Sequence, residues 1–340
     1  MSKHNVTLLF EDGRSEKILA DEKDTIYLAC LRNKIRILTD CLEGACATCK
    51  GVCIEGEYEL DDYAEEALSE EEALQREVLT CQMHAQSDCI IEFPYESRLA
   101  IKTEPAQWVC VVAACENVSS TVVRLDLKPV GAENEPPSFL PGQYVHLSVP
   151  GTGESRSYSF ANGPQEKQIF SFYIKVLQQG LMSEYVRNAV RVGDEMAMTG
   201  PFGKFYLRNP QRPILMVAGG TGLAPMLSMF DHMAETNITS YPVHLLYGAN
   251  APNEFFCLDD LEGYKEKGIK LTTELAVLEA NDEWIGSIGH ITDLLRYELI
   301  AKDKDAYLCG PPPMIEAGQR WLAEHDVLEK QIYAEKFLPS

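Results

Sequence analysis

The chain has 340 residues, a formal net charge of −22 and 45% hydrophobic residues. That length suits two or three domains with enough apolar material for real cores. The charge argues against general affinity for nucleic acid or anionic membranes, whose phosphates would be repelled.

No apolar run approaches the ~20 residues that span a bilayer. The opening residues, MSKHNVTLLFEDG, lack the apolar stretch of a secretory signal, so a cytoplasmic protein is expected. Charge and cysteine are both uneven. Residues 1–98 hold 22 acidic and 10 basic side chains and seven of the 11 cysteines. In a reducing compartment, clustered cysteines point to metal rather than to disulfides.

In chain order, residues 1–98 read as a small α+β unit. Val6–Phe10 and Lys17–Ala20, joined by Asp12-Gly13, predict a hairpin. Asp24 is placed to N-cap a helix reaching about Lys34. Residues 41–53 form a cysteine-rich loop. Ser69 followed by Glu72 is a capping-box signature, and Cys89–Phe93 reads as a closing strand. Residues 97–105 read as a linker.

From about 106 to 207 the pattern is strands punctuated by Pro and Gly: WVCVVAACENV, TVVRLDLKPV, QYVHLSV, IFSFYIKVL and DEMAMTG. One short helix is expected at Met182–Ala189, and the whole reads as an antiparallel barrel. From Pro210 the rhythm becomes strand, loop, helix. PILMVA, VHLLYGA, IKLTTELAV and DAYLCG are buried-strand candidates, a doubly wound α/β pattern with a parallel sheet.

Cys41, Cys46, Cys49 and Cys81 give C-x4-C-x2-C and a distant fourth Cys, the plant-type spacing of a [2Fe–2S] cluster. Such a cluster is negatively charged and needs four thiolates and many amide donors. Gly44, Ala45, Ala47 and Gly51 are small enough to keep backbone N–H groups close. A Cys3His zinc site from Cys46, Cys49, Cys81 and His84 is the rival, but it leaves Cys41 idle. Unliganded packed thiols are the bland alternative.

Arg156, Ser157, Tyr158 and Ser159 place a cation, a ring and hydroxyls within four residues. They suit a phosphate and an aromatic heterocycle, although an ordinary strand could carry the same tetrapeptide. Gly180-Leu-Met182-Ser183 opens the one helix of this region, where unpaired N–H groups favour a pyrophosphate; a plain Ser cap is the alternative. Together they point to FAD. Gly219, Gly220, Thr221 and Gly222 follow a buried strand and let a diphosphate approach the backbone. Cys309, Gly310 and Pro311 end another buried strand, so both loops can share the carboxyl edge where α/β sheets bind ligands. Cys309 could equally be a packed core thiol.

With the motifs RSYSFAN, AGGTGLAP, YLCGPPPMIEA and the terminal YAEKF, the whole chain resembles the reductases of two-component ring-hydroxylating dioxygenases. Benzoate and anthranilate 1,2-dioxygenase reductases are the subgroup it looks most like. The resemblance implies three domains: an α+β ferredoxin-like (β-grasp) domain at 1–98, an antiparallel β-barrel FAD domain at 105–207 and an α/β doubly wound NAD domain at 208–340. Arg156, Ser157, Tyr158 and Ser159 would contact FAD, with Gly180, Met182 and Ser183 near its pyrophosphate. Gly219–Gly222, Gly310 and Pro311 would cradle NADH, with Cys309 beside the nicotinamide. Phe337 would cover the flavin ring and Glu335 would lie near the same pocket. Their bland readings are a C-terminal anchor and a solvated acid.

Two positions depart from the family loop C-R-x-G-x-C-G-x-C: Leu42 stands for Arg, and Ala47 for Gly. NADH is expected over NADPH, because residues 249–254 offer no Arg or Lys for a 2′-phosphate and Glu254 would repel one. The implied partner is a Rieske-type terminal oxygenase. Alternatives are a reductase for a soluble diiron monooxygenase and a non-enzymatic redox sensor. Residues 55–72 hold ten acids and no base, a solvated face that could also steer a basic dock.

Overall fold

A computed structural model describes residues 2–101, 106–131, 137–165, 168–300 and 303–337. The chain forms two compact units, Met1–Ala106 with Pro201–Lys204, and Gln107–Gly200 with Phe205–Ser340.

In the first unit the hairpin strands β1 (Lys3–Leu9) and β2 (Ser15–Asp21) precede helix α1 (Ile26–Arg32). Then come β3 (Lys50–Glu55), β4 (Tyr58–Leu60), α2 (Glu70–Leu74), β5 (Glu77–Leu79), β6 (Met83–Ala85) and β7 (Cys89–Glu92). The five-stranded sheet runs β2-β1-β7-β3-β5, with β4 and β6 as a separate pair. β1 is antiparallel to β2 but parallel to β7. This mixed sheet grips α1, whose Ile26, Ala29 and Cys30 join Val6, Leu8, Ile91 and Phe93 in one buried cluster. It is the β-grasp arrangement.

The α1 cap differs from expectation by one residue. Thr25 is the N-cap, its hydroxyl accepting from the Leu28 amide. Asp24 instead pairs with Arg32, a residue on the helix itself. The Ser69–Glu72 capping box forms as read. Gly51 lies inside β3 opposite Val78, where a Cβ would stand 3.1 Å from Glu92 O. Its smallness therefore serves strand packing, not the cysteine loop. The expected linker begins as packed chain: Ser97–Leu99 is a short turn, and Ala100 and Ile101 are buried in the unit's core. Residues 102–105 lie outside the described residues.

The second unit holds two sheets. Strands β8 (Gln107–Asn117), β9 (Val122–Pro129), β10 (Tyr144–Ser148), β11 (Ser155–Ser159), β12 (Phe170–Lys175) and β13 (Glu195–Phe202) pair in the order β11-β10-β13-β8-β9-β12. The sheet curls until its edges, β11 and β12, touch. It is a barrel left open along one seam, around Val112, Leu125, Leu127, Leu147, Phe172 and Met198. The expected helix at 182–189 is split into α3 (Leu181–Glu184) and a wider π turn at Tyr185–Ala189.

Next follow β14 (Ile214–Gly219), α4 (Leu223–Glu235), β15 (Val243–Ala249), α5 (Leu258–Glu266), β16 (Leu271–Val277), β17 (Ser287–Ile288), α6 (Tyr297–Ile300), β18 (Asp305–Gly310), α7 (Pro312–Glu324) and β19 (Ile332–Lys336). The six strands are parallel, in the order β17-β16-β15-β14-β18-β19. β14 is apolar throughout because both faces are covered. Met216 and Ala218 enter one core, Leu215 and Val217 the other. Strand order reverses between β14 and β18, the switch point at which such sheets open a crevice for ligands.

Candidate cofactor sites

In the first unit, three residues of the cysteine loop are left-handed: Leu42 (φ 64°), Gly44 (φ 71°) and Ala47 (φ 57°). These reversals wind the backbone tightly and turn its amides onto sulfur. The Glu43 and Ala45 amides each donate to Cys41 Sγ at 3.4 Å, and the Cys41 amide to Cys46 Sγ at 3.5 Å. The Thr48 hydroxyl, with the Cys41 amide, holds the Cys46 thiol down to about 6. Cys81 follows β5 directly, and Thr80 Oγ1 donates to Cys49 O at 2.9 Å. That tie brings Cys49 Sγ and Cys81 Sγ to 3.3 Å, and burial pushes Cys49 up to about 11.

The four thiols thus gather as two pairs, Cys41 with Cys46 and Cys49 with Cys81. Among the described residues no three or more His, Cys, Asp or Glu side chains surround one point. Two such pairs suit two irons sharing sulfides. His84 Nε2 pairs with Asp61 at 2.9 Å. Thr39 Oγ1, two residues before Cys41, is buried without a partner.

In the second unit, Arg156 and Tyr158 share one face of β11, opposite Leu147 and Val145 of β10. Arg156 Nη1 donates to Ser155 O (2.7 Å) and meets Glu154 (3.3 Å). Burial pushes the Tyr158 phenol above its usual range. Strand alternation puts Ser157 on the other face, against His146 Nδ1 at 3.0 Å, so it does not join this set. Ser183 and Met182 are buried, and Ser183 Oγ already accepts from the Leu177 amide at 3.0 Å.

At the last residue of β11, Ser159 Oγ donates to Glu335 Oε2 at 3.4 Å. Glu335 lies opposite Cys309 in the β18–β19 register. Burial pushes the Glu335 carboxyl up to about 8; it also raises the fully buried Cys309 thiol, with the Glu335 charge adding to that shift. The Phe337 amide donates to Gly310 O at 2.9 Å, and its ring packs on the core beneath β14. Ser159, Glu335 and Cys309 therefore meet, although they come from three strands, and Phe337 is tied by its amide to Gly310, next to Cys309.

The two ligand loops touch. A Cβ on Gly219 would stand 2.8 Å from Pro311 Cδ, and one on Gly222 only 2.0 Å from Cys309 O. Gly220 differs: its φ is 53° and nothing stands within 4 Å of its missing Cβ. Of the loop's three glycines it is the one that faces open space.

Sequence reasoning missed Lys175. Its Nζ meets Glu254 Oε2 at 3.1 Å, and Asn250 Nδ2 donates to the same oxygen at 3.0 Å. A cation does stand beside the 249–254 loop, but from β12, 79 residues away, and no local pattern signals it.

Family models described as a 2Fe-2S iron-sulfur cluster binding domain, an oxidoreductase FAD-binding domain and an oxidoreductase NAD-binding domain match residues 9–86, 109–206 and 216–320. The anthranilate 1,2-dioxygenase electron transfer component of Acinetobacter baylyi is 38% identical over 99% of this chain and 98% of its own. The chain belongs to this family of dioxygenase electron transfer components. A propane 2-monooxygenase reductase component of Mycolicibacterium smegmatis is 36% identical over 93% of this chain and 92% of its own. A solved ferredoxin reductase in carbazole 1,9a-dioxygenase superposes with a TM-score of 0.61 at 26% identity, covering 99% of this chain and 100% of the other.

The family's three groups, FAD, NAD and a [2Fe–2S] cluster, suit the residues present. The paired thiols ringed by donors suit a two-iron cluster. The open Gly220 and the glycine-lined contact between loops suit a dinucleotide at the switch point.

Proposed function

We propose that the protein takes electrons from NADH and delivers them singly to a Rieske-type terminal oxygenase acting on an aromatic acid of the benzoate or anthranilate kind. When bound, NADH supplies a hydride, FAD converts the electron pair into single electrons, and the [2Fe–2S] cluster passes them outward. The observation that carries this reading is the meeting of Ser159, Glu335 and Cys309 at the carboxyl edge of the parallel sheet.

In this reading the chain has a ferredoxin-like domain at 1–98, a flavin domain at 105–207 and a nucleotide domain at 208–340. Cys41, Cys46, Cys49 and Cys81 hold the cluster. Arg156 and Tyr158 offer charge and ring to the flavin from one strand face, and Gly180, Met182 and Ser183 shape the turn beside it. Gly219–Gly222, Gly310 and Pro311 provide backbone that a diphosphate can approach closely. Glu335, protonated below about pH 8, keeps a proton beside the Ser159 hydroxyl without placing a charge there. Cys309 stays a neutral thiol, and Phe337 supplies an aromatic cover. No described helix is long and apolar enough to cross a membrane, and a cytoplasmic setting fits reduced thiols.

The purified protein should show combined flavin and iron–sulfur absorption that NADH bleaches. A colourless, zinc-containing protein would overturn the reading. Reconstitution separates the partners: turnover with a ring-hydroxylating oxygenase is expected, and turnover only with a diiron hydroxylase would reassign the chain.

A further inference from the structure

Gln82 touches a candidate cluster ligand and also braces the loop bearing the others. Gln82 follows Cys81 and is buried, 8% exposed. Its Nε2 donates to Leu42 O at 3.1 Å and to Cys81 Sγ at 3.4 Å. Both partners are acceptors, so the amide nitrogen, not the oxygen, must face them. The backbone of Gln82 is pinned on both sides, its amide donating to Leu79 O (2.8 Å) and its carbonyl accepting from the Asp61 amide (2.9 Å). Its stem also fills the space under Gly44, where a Cβ would lie 3.1 Å from Gln82 Cγ.

We infer that Gln82 is a positioning residue that raises the reduction potential of the cluster by donating a side-chain hydrogen bond to the Cys81 sulfur while clamping the Leu42 carbonyl. This rests on the cluster reading above. Reduction adds one electron to an already negative group, so charge on the ligand sulfurs rises. A donor aimed at one of them stabilises the reduced form more than the oxidised. The other donors found on these thiols are mostly backbone amides and Thr48. Gln82 therefore offers a side-chain handle that substitution can remove without rerouting the chain.

The Leu42 contact gives the residue its second role. Leu42 is left-handed, a conformation that residues with a side chain rarely adopt. Its carbonyl is fixed by Gln82 across 40 residues of sequence. The same amide group therefore joins the first ligand segment to the last.

The test is a potentiometric titration of the full-length holoprotein followed by electron paramagnetic resonance, with the flavin potential read in the same samples as an internal reference. Gln82→Met keeps the length and volume but has no N–H. Gln82→Glu keeps the shape and sets a carboxylate against two acceptors. In Gln82→Met the reduced-to-oxidised ratio at fixed ambient potential should fall about tenfold, equal to ~59 mV for one electron. Gln82→Glu should fall further, with altered g-values in both and an unmoved flavin potential. An unchanged cluster potential in either variant that retains its cluster would overturn the inference. Loss of the cluster from both variants would also overturn it, leaving Gln82 a purely structural brace. A wild-type protein without any [2Fe–2S] signal would instead fail the functional reading itself.

Discussion

Ser159 Oγ and Glu335 Oε2 stand 3.4 Å apart, joining the end of β11 to the last strand of the parallel sheet across 176 residues of sequence. Because burial lifts Glu335 to about 8, folding retains a proton that the unfolded chain releases near its ordinary value of 4.5. Its contribution is fully present below pH 4.5 and declines as pH rises towards 8. Glu335→Gln removes that decline. The unfolding free energy of the variant relative to wild type, read by denaturant titration, should move in the variant's favour from pH 5 to 8 by at most ~1.4 kcal/mol per pH unit. A difference independent of pH would show that Glu335 is ionised in the fold.

Cys41→Ser separates the two halves of the chemistry. Changes behind metal ligands already cost up to ~100-fold, so losing a thiolate should lower electron delivery to an oxygenase at least that far. NADH-to-ferricyanide turnover should survive, since the flavin and nucleotide residues lie elsewhere in the chain. An equal fall in both rates, with flavin still bound, would refute the division.

Gly222 and Gly220 sit two residues apart but should respond differently. Gly222→Ala drives a Cβ to 2.0 Å from Cys309 O, and backbone on both sides cannot yield. Calorimetry should show a loss of about 3 kcal/mol. Gly220→Ala meets no atom within 4 Å and costs only the ~1–2 kcal/mol of its left-handed φ. It should fold, and raise KM for NADH if the opening there admits the dinucleotide.

Ala47 carries a side chain at φ 57° in the cysteine loop. Ala47→Gly should relieve that strain and stabilise the holoprotein by ~1 kcal/mol, seen as a raised Tm. A lowered Tm would mean that the Ala47 methyl makes packing contacts worth more than the backbone cost.

Glu254→Gln tests nucleotide choice. It removes a negative charge and leaves Lys175 without its carboxylate at 3.1 Å. kcat/KM for NADPH should rise on the order of tenfold, which is 1.4 kcal/mol, while NADH is little affected. Unchanged NADPH kinetics would place the adenosine ribose away from Glu254.

Chemistry held in short stretches could be read from the chain alone. Spacing sets which thiols can wrap one group, so Cys41, Cys46, Cys49 and Cys81 stood out without coordinates. The glycine loops after β14 and β18 did too, because only glycine permits those approaches. The capping box at Ser69 and Glu72 is equally local, whereas the cap of α1 moved one residue, from Asp24 to Thr25, once Arg32 was in place to engage the acid. Other features needed the folded molecule. The two thiol pairs, the Lys175–Glu254 pair and the bond from Ser159 to Glu335 all join residues that pairing or crossover connections bring together. Periodicity reports which face of its own element a residue occupies. What that face meets is set by strand order and register, and these emerge only when both cores are packed.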